Sequence, residues 1–169
     1  MLGRTAKRPM WQIELGLTGR KVAKRSLERH GFDVKEHDPP AGGFAHLSAS
    51  HAGRTYWINV RTGNKYRATG DEINPYFSLT PIEQEGAKSL KSRNPRSVLA
   101  CIALTIVASP ADALHGEPPN SFSCFLIEYG DSVPRRIRLD EKHLNDYVRL
   151  AIDERSNDDL SSLSNRSAQ

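Results

Sequence analysis

The sequence predicts a single α/β domain whose elements run helix, three strands, helix, two or three strands, helix. Three observations carry this. A 3.6-residue apolar stripe in 19–32 gives way to period-2 alternation through residue 61. A second helix opens at Thr80 with a complete set of start signals. The chain of 169 residues, 37% of them apolar, holds enough apolar surface for one core and too little for two.

The first helix is GRKVAKRSLERHGF. Val22, Ala23, Ser26 and Leu27 form its narrow stripe, with Lys21, Lys24, Arg25 and Glu28 outside it. Thr18 is expected to cap its start and Gly31 to stop it in a left-handed conformation. FDVKEH reads as a short strand closed by the turn cluster DPPAGG. FAHLSAS and TYWINVR then form a hairpin that turns about Ala52-Gly53. Residues 63–78 read as a polar loop. In LTPIEQEGAKSLKSRNP, Thr80 sits at the N-cap, Pro81 at N1 and Glu83 at N3, the residues of a capping box. Pro95 limits extension of this helix.

SVLACIALTIVA, bounded by Pro95 and Pro110, reads as a buried strand, and SFSCFLIEYG as another that turns at YGDS into RRIRL. In LDEKHLNDYVRLAID, the spacing of Leu144, Tyr147, Val148, Ala151 and Ile152 predicts a last helix capped by Asp140. Residues 1–15 are expected to be a basic arm, 16–153 the domain, and 154–169 a polar, disordered tail.

The formal net charge is +4, and its distribution says more than its size. Residues 1–30 carry Arg4, Lys7, Arg8, Arg20, Lys21, Lys24, Arg25 and Arg29 against Glu14 and Glu28, while the tail is acidic and polar. Such asymmetry suits a polyanionic partner, or else a solvated basic helix face. Cys101 and Cys124 lie in apolar runs and are expected to be reduced core residues. Without a CxxC or Cys/His cluster, no structural zinc site is expected. The start MLGRTAKRPM has no apolar segment behind it, and the longest apolar run is too short to span a bilayer. A cytoplasmic location, with no membrane, is the expectation.

GLTGRKVAKRSLERHGFDV, followed by FAHLSAS and YWINVRTG, resembles the opening helix and hairpin of the PD-(D/E)XK, or restriction-endonuclease-like, nucleases. The resemblance covers residues 16–108, with weaker support to 128. It implies an αβββαβ core with a mixed central sheet flanked by helices, extended here by further C-terminal strands and a helix. Family members hydrolyse phosphodiesters with a divalent cation held by carboxylates and a lysine that stabilises developing charge.

Carried over position by position, the helix glutamate falls on Arg20. The aspartate falls on His46, and the ExK pair falls on Asn59 and Arg61. Hairpin register places His46 opposite Asn59 on one face. Each acid is gone, and the cations that replace them repel Mg²⁺. Arg61 cannot act as a base, yet a guanidinium can hold phosphate.

The first functional expectation is thus an inactive nuclease-like domain with no metal or cofactor, binding nucleic acid, DNA before RNA. Its contacts are Arg20, Lys21, Lys24, Arg25, Arg61, Lys65 and Arg67, with Arg4, Lys7 and Arg8 following a groove. The alternatives are an active Mg²⁺-dependent nuclease whose carboxylates have migrated, or a protein-interaction subunit of a nucleic-acid-processing or defence complex. Glu14, Glu36, Asp38, Asp71 and Glu72 are the migrated candidates; Asp38 is also a natural turn-capping residue. His46 and His51 offer a possible metal pair or ordinary hydrogen-bonded histidines. Trp57 can stack on a base or pack against the first helix, and Trp11 can pin the arm.

Overall fold

The stripe Val22–Ala23–Leu27 needs an apolar floor, and the hairpin and the strand at 98–107 supply it. In the computed structural model, which describes residues 10–64, 76–107, 121–138 and 148–150, these elements stack as two helices on opposite faces of one sheet. They run α1 (Met10–Arg29), β1 (Asp33–Ala41), β2 (Ala45–His51), β3 (Arg54–Asn64), β4 (Tyr76–Ser78) and α2 (Pro81–Arg93). Next come β5 (Val98–Val107), β6 (Ser121–Tyr129), β7 (Arg136–Arg138) and β8 (Val148–Leu150).

The main sheet has the order β1-β2-β3-β5-β6-β8, and β4 pairs with β7 in a separate ribbon. The β3–β5 pair is parallel and its other neighbours are antiparallel, so the sheet is mixed. A parallel pair requires a crossover, and α2 lies within the segment that makes it.

Alternation divides the core. Tyr56, Ile58 and Val60 of β3, with Ala100, Ile102 and Leu104 of β5, pack with Val22, Ala23 and Leu27 of α1. The intervening residues Leu99, Cys101 and Ala103 pack with Ala87 and Leu90 of α2. Trp57 joins this second layer, so it lies on the α2 face rather than against the first helix as expected. The reason is its register: it is one residue out of phase with Tyr56 and Ile58. Both cysteines are buried and unpaired, as expected. Burial raises both thiols, Cys124 to about 12, which keeps them protonated at neutral pH.

Two close approaches fix the helices. A Cβ at Gly19 of α1 would lie 1.9 Å from Thr62 Oγ1, and one at Gly86 of α2 would lie 2.1 Å from the Gly42 carbonyl oxygen. Only glycine permits these contacts.

Several boundaries differ from the sequence reading. Helix α1 begins at Met10, inside the segment read as an arm, so Thr18 is a helical residue and not a cap. Strand β1 continues through Pro39 and Pro40 to Ala41, with a cis bond at Asp38-Pro39 and a register irregularity between Glu36 and Ala41. Prolines are tolerated there because β1 is an edge strand. Residues 76–78, read as loop, form β4. Val148–Leu150, read as helix, instead extend the sheet alongside β6. Pairing with Cys124–Leu126 overrides the helical spacing there. The remainder of that expected helix, the segment 1–9, Lys65, Arg67 and the tail from 151 lie outside the described residues.

Among the described residues, no helix is long and apolar enough to cross a membrane.

Candidate functional site

The hairpin turn places Ala52 at φ 50° and Gly53 at φ 77°, both left-handed, which sets the β2–β3 register. Partners run from His51↔Arg54 to Leu47↔Ile58. One residue further along, His46 stands opposite Asn59, as the alternation requires. At that point a side chain replaces the backbone as acceptor: Val60 N–H donates to His46 Nδ1 at 2.9 Å. The imidazole is therefore built into the hairpin, with its proton on Nε2.

His46 is only 8% exposed. Burial, then the charges of Arg20 and Arg61, push its pKa down to about 4, against an opposing effect of Glu83. It is a neutral donor at pH 7, with its Nδ1 lone pair already used.

Of the residues aligned with the family's motif positions, Arg20 and Arg61 both lie close enough to His46 for their charges to act on it. Both charges, Arg20 on α1 and Arg61 on β3, disfavour the imidazolium. Asn59, fully buried, donates from Nδ2 to the Phe44 carbonyl at 2.6 Å and to Glu83 Oε2 at 3.0 Å. Two acceptors on one nitrogen fix the amide orientation, because the flipped form would set oxygen against oxygen.

Glu83 is the member of the cluster that the sequence reading left out. It was read only as the N3 residue of the α2 cap, and that role is real. Glu83 N–H donates to Thr80 Oγ1 at 3.2 Å, and Thr80 N–H donates to Glu83 Oε1 at 3.0 Å. The same side chain spends its other oxygen on the sheet, where Oε2 accepts from both Asn59 Nδ2 and Arg61 Nη2.

Burial alone would raise the Glu83 pKa, but the Thr80 N–H and the Arg61 guanidinium outweigh it and hold the carboxyl below its ordinary value. So the one carboxylate that reaches the cluster, among the described residues, is ionised and accepts hydrogen bonds on both oxygens. No group of three His, Cys, Asp or Glu side chains that could hold a metal occurs among them.

The other expected carboxylates lie elsewhere. Glu36 is on edge strand β1 and meets Lys24 at 3.8 Å. Asp38 is exposed on the same strand, separated from β3 by β2. Asp71 and Glu72, and the side chain of Glu14, lie outside the described residues. His46 and His51 point to opposite faces of β2, and His51 instead stacks on Phe32 with ring centroids 4.4 Å apart.

Of the expected basic contacts, Arg20, Lys21, Lys24, Arg25 and Arg61 are part-buried rather than fully solvated. Lys24 also meets Glu28 at 3.9 Å, so its charge is shared between two carboxylates. At this separation and exposure such pairs are weak and leave the amine available.

No family model matches the chain, and no curated protein matches its sequence. Among solved structures, it is similar to Hjc, a Holliday junction resolvase from the archaeal hyperthermophile Archaeoglobus fulgidus. The TM-score is 0.50 at 11% sequence identity, covering 80% of this chain and 92% of the resolvase. Identity this low speaks for architecture alone. That architecture is the α/β, restriction-endonuclease-like fold expected from the order of helix, hairpin, helix and strand.

Proposed function

We propose that this chain is a nuclease-like domain that has given up metal-dependent cleavage and holds nucleic acid, DNA before RNA, on a cationic surface. The observation that carries the reading is the Arg61–Asn59–Glu83 cluster. Metal-assisted hydrolysis needs carboxylate oxygens with lone pairs to spare. Glu83 Oε2 already accepts from Asn59 and Arg61, Oε1 keeps one lone pair beside its Thr80 bond, and among the described residues no group of three His, Cys, Asp or Glu side chains could complete a metal site. The aligned acid positions carry an arginine, a neutral histidine and an amide.

Arg61 in this arrangement does part of what a metal ion would do. It is a fixed positive charge beside the carboxylate, and it cannot be removed by chelation or deprotonation. Together with Arg20 it supports phosphate binding without supporting hydrolysis, since no described residue at the cluster has a free base to generate hydroxide. Lys21, Lys24 and Arg25 extend the cationic surface along α1; Lys65 and Arg67 follow β3 in sequence.

The test is binding of a labelled duplex as salt is raised. Phosphate contacts release counterions, so affinity falls linearly on a log–log plot, with a slope of about 0.9 per neutralised phosphate. Arg20→Gln and Arg61→Gln should each weaken binding and flatten that slope. Affinity indifferent to salt and to both substitutions removes the proposal.

A further inference from the structure

Glu83 is a carboxylate standing inside a cationic site, and the helix cap does not use its second oxygen. The cap is completed by Oε1 alone. Oε2 is what reaches the sheet, and it takes Arg61 by a single guanidinium nitrogen, Nη2. Arg61 Nε is buried without a hydrogen-bond partner, and so is Asn59 Oδ1.

Buried donors are rarely left unmade, because their desolvation is not recovered. The guanidinium is a fork built for two parallel bonds, and a phosphodiester offers two oxygens at that spacing. Here Glu83 fills only part of it.

We propose that Glu83 is a built-in competitor for phosphate at Arg61 and thereby sets the affinity of the site. In the unliganded protein Glu83 holds the guanidinium; a nucleic-acid phosphate displaces it and takes both Nε and Nη2. The displaced carboxylate is not stranded, since Oε1 keeps the Thr80 N–H bond. This rests on the nucleic-acid-binding reading above and adds to it the residue that opposes binding.

Fluorescence anisotropy with a fluorescein-labelled mixed-sequence DNA duplex tests it, comparing the wild type with Glu83→Gln, Arg61→Gln, the double variant and Glu85→Gln. Glu83→Gln keeps a capping side chain and frees Arg61. It should tighten binding about tenfold, the worth of one added charge-assisted contact, and steepen the salt slope by about 0.9.

That gain should vanish in the Arg61→Gln background. Glu85→Gln, which removes an exposed charge two residues along α2, should give only a small part of it. Glu83→Asp keeps the charge but withdraws it from Arg61, and carries the same prediction if Glu83→Gln folds poorly. A gain that persists without Arg61, or folded Glu83 variants that bind no tighter than wild type, overturns the competitor role. Arg61→Gln binding as wild type, with no salt dependence, instead overturns the binding reading beneath it.

Discussion

Arg61 of β3 donates its guanidinium to the carboxylate of Glu83, the third residue of α2, across a sequence separation of 22 residues. Both side chains are largely buried, at 22% and 14% exposure. The pair ties the start of the crossover helix to the strand that carries the aligned motif, and Asn59 closes the triangle.

Truncating Glu83 should therefore be costly. Glu83→Ala strands the Arg61 charge and one Asn59 bond, and it opens the capping box. Removing one partner of a buried pair costs about 3 kcal/mol. Glu83→Gln keeps the Thr80 N–H bond and the side-chain bulk and should lose less. Urea unfolding of the two variants checks the order; equal losses would mean that the ion pair contributes little beyond the cap.

The buried, neutral His46 makes stability depend on pH. Its folded pKa of about 4 lies below the ordinary histidine value of 6.5, so the unfolded chain binds the proton more readily. The contribution is fully present above about 6.5 and is lost as pH falls toward 4, by at most roughly 3 kcal/mol. His46→Asn, whose side-chain oxygen can still accept from Val60 N–H, should remove this part of the decline. Unfolding at neutral pH and near pH 5 compares the two; parallel declines would contradict a buried neutral imidazole.

Two helix glycines should respond with opposite sign. At Gly16 an added Cβ meets nothing within 4 Å, so Gly16→Ala should stabilise by up to about 1 kcal/mol through helix propensity. At Gly86 it meets a backbone oxygen that cannot rotate away. Gly86→Ala should destabilise by about 3 kcal/mol and shift the start of α2 away from Arg61. Thermal melts of both decide it, and a stable Gly86→Ala would argue against the close packing of α2 on Gly42.

Much of this was legible because it is local. The capping box at Thr80 and Glu83, the left-handed Gly31 and Gly53, and the alternation of Trp57, Asn59 and Arg61 are properties of a few adjacent residues. The second role of Glu83 was hidden for the same reason. Its presence at N3 is fully explained by the cap, and nothing nearby signals that its other oxygen reaches Asn59, 24 positions back. A physical hint did exist, since Arg61 on a half-buried strand face needs an anionic partner.

The start of α1 was misread because Thr18 has the chemistry of an N-cap. Gly19 is there for contact with Thr62, a tertiary reason no local pattern states. Val148–Leu150 failed likewise, as their partner strand β6 begins 27 residues earlier, at Ser121.

The central claim is that the cluster holds phosphate with its own guanidinium and does not cut. Its most direct test incubates one labelled duplex with the protein in magnesium, in manganese and in EDTA, following binding and integrity together. The account predicts intact DNA in all three, with no gain in affinity from either metal. Cleavage that requires the metal and disappears in Glu83→Gln would show instead that Glu83 is a working metal ligand.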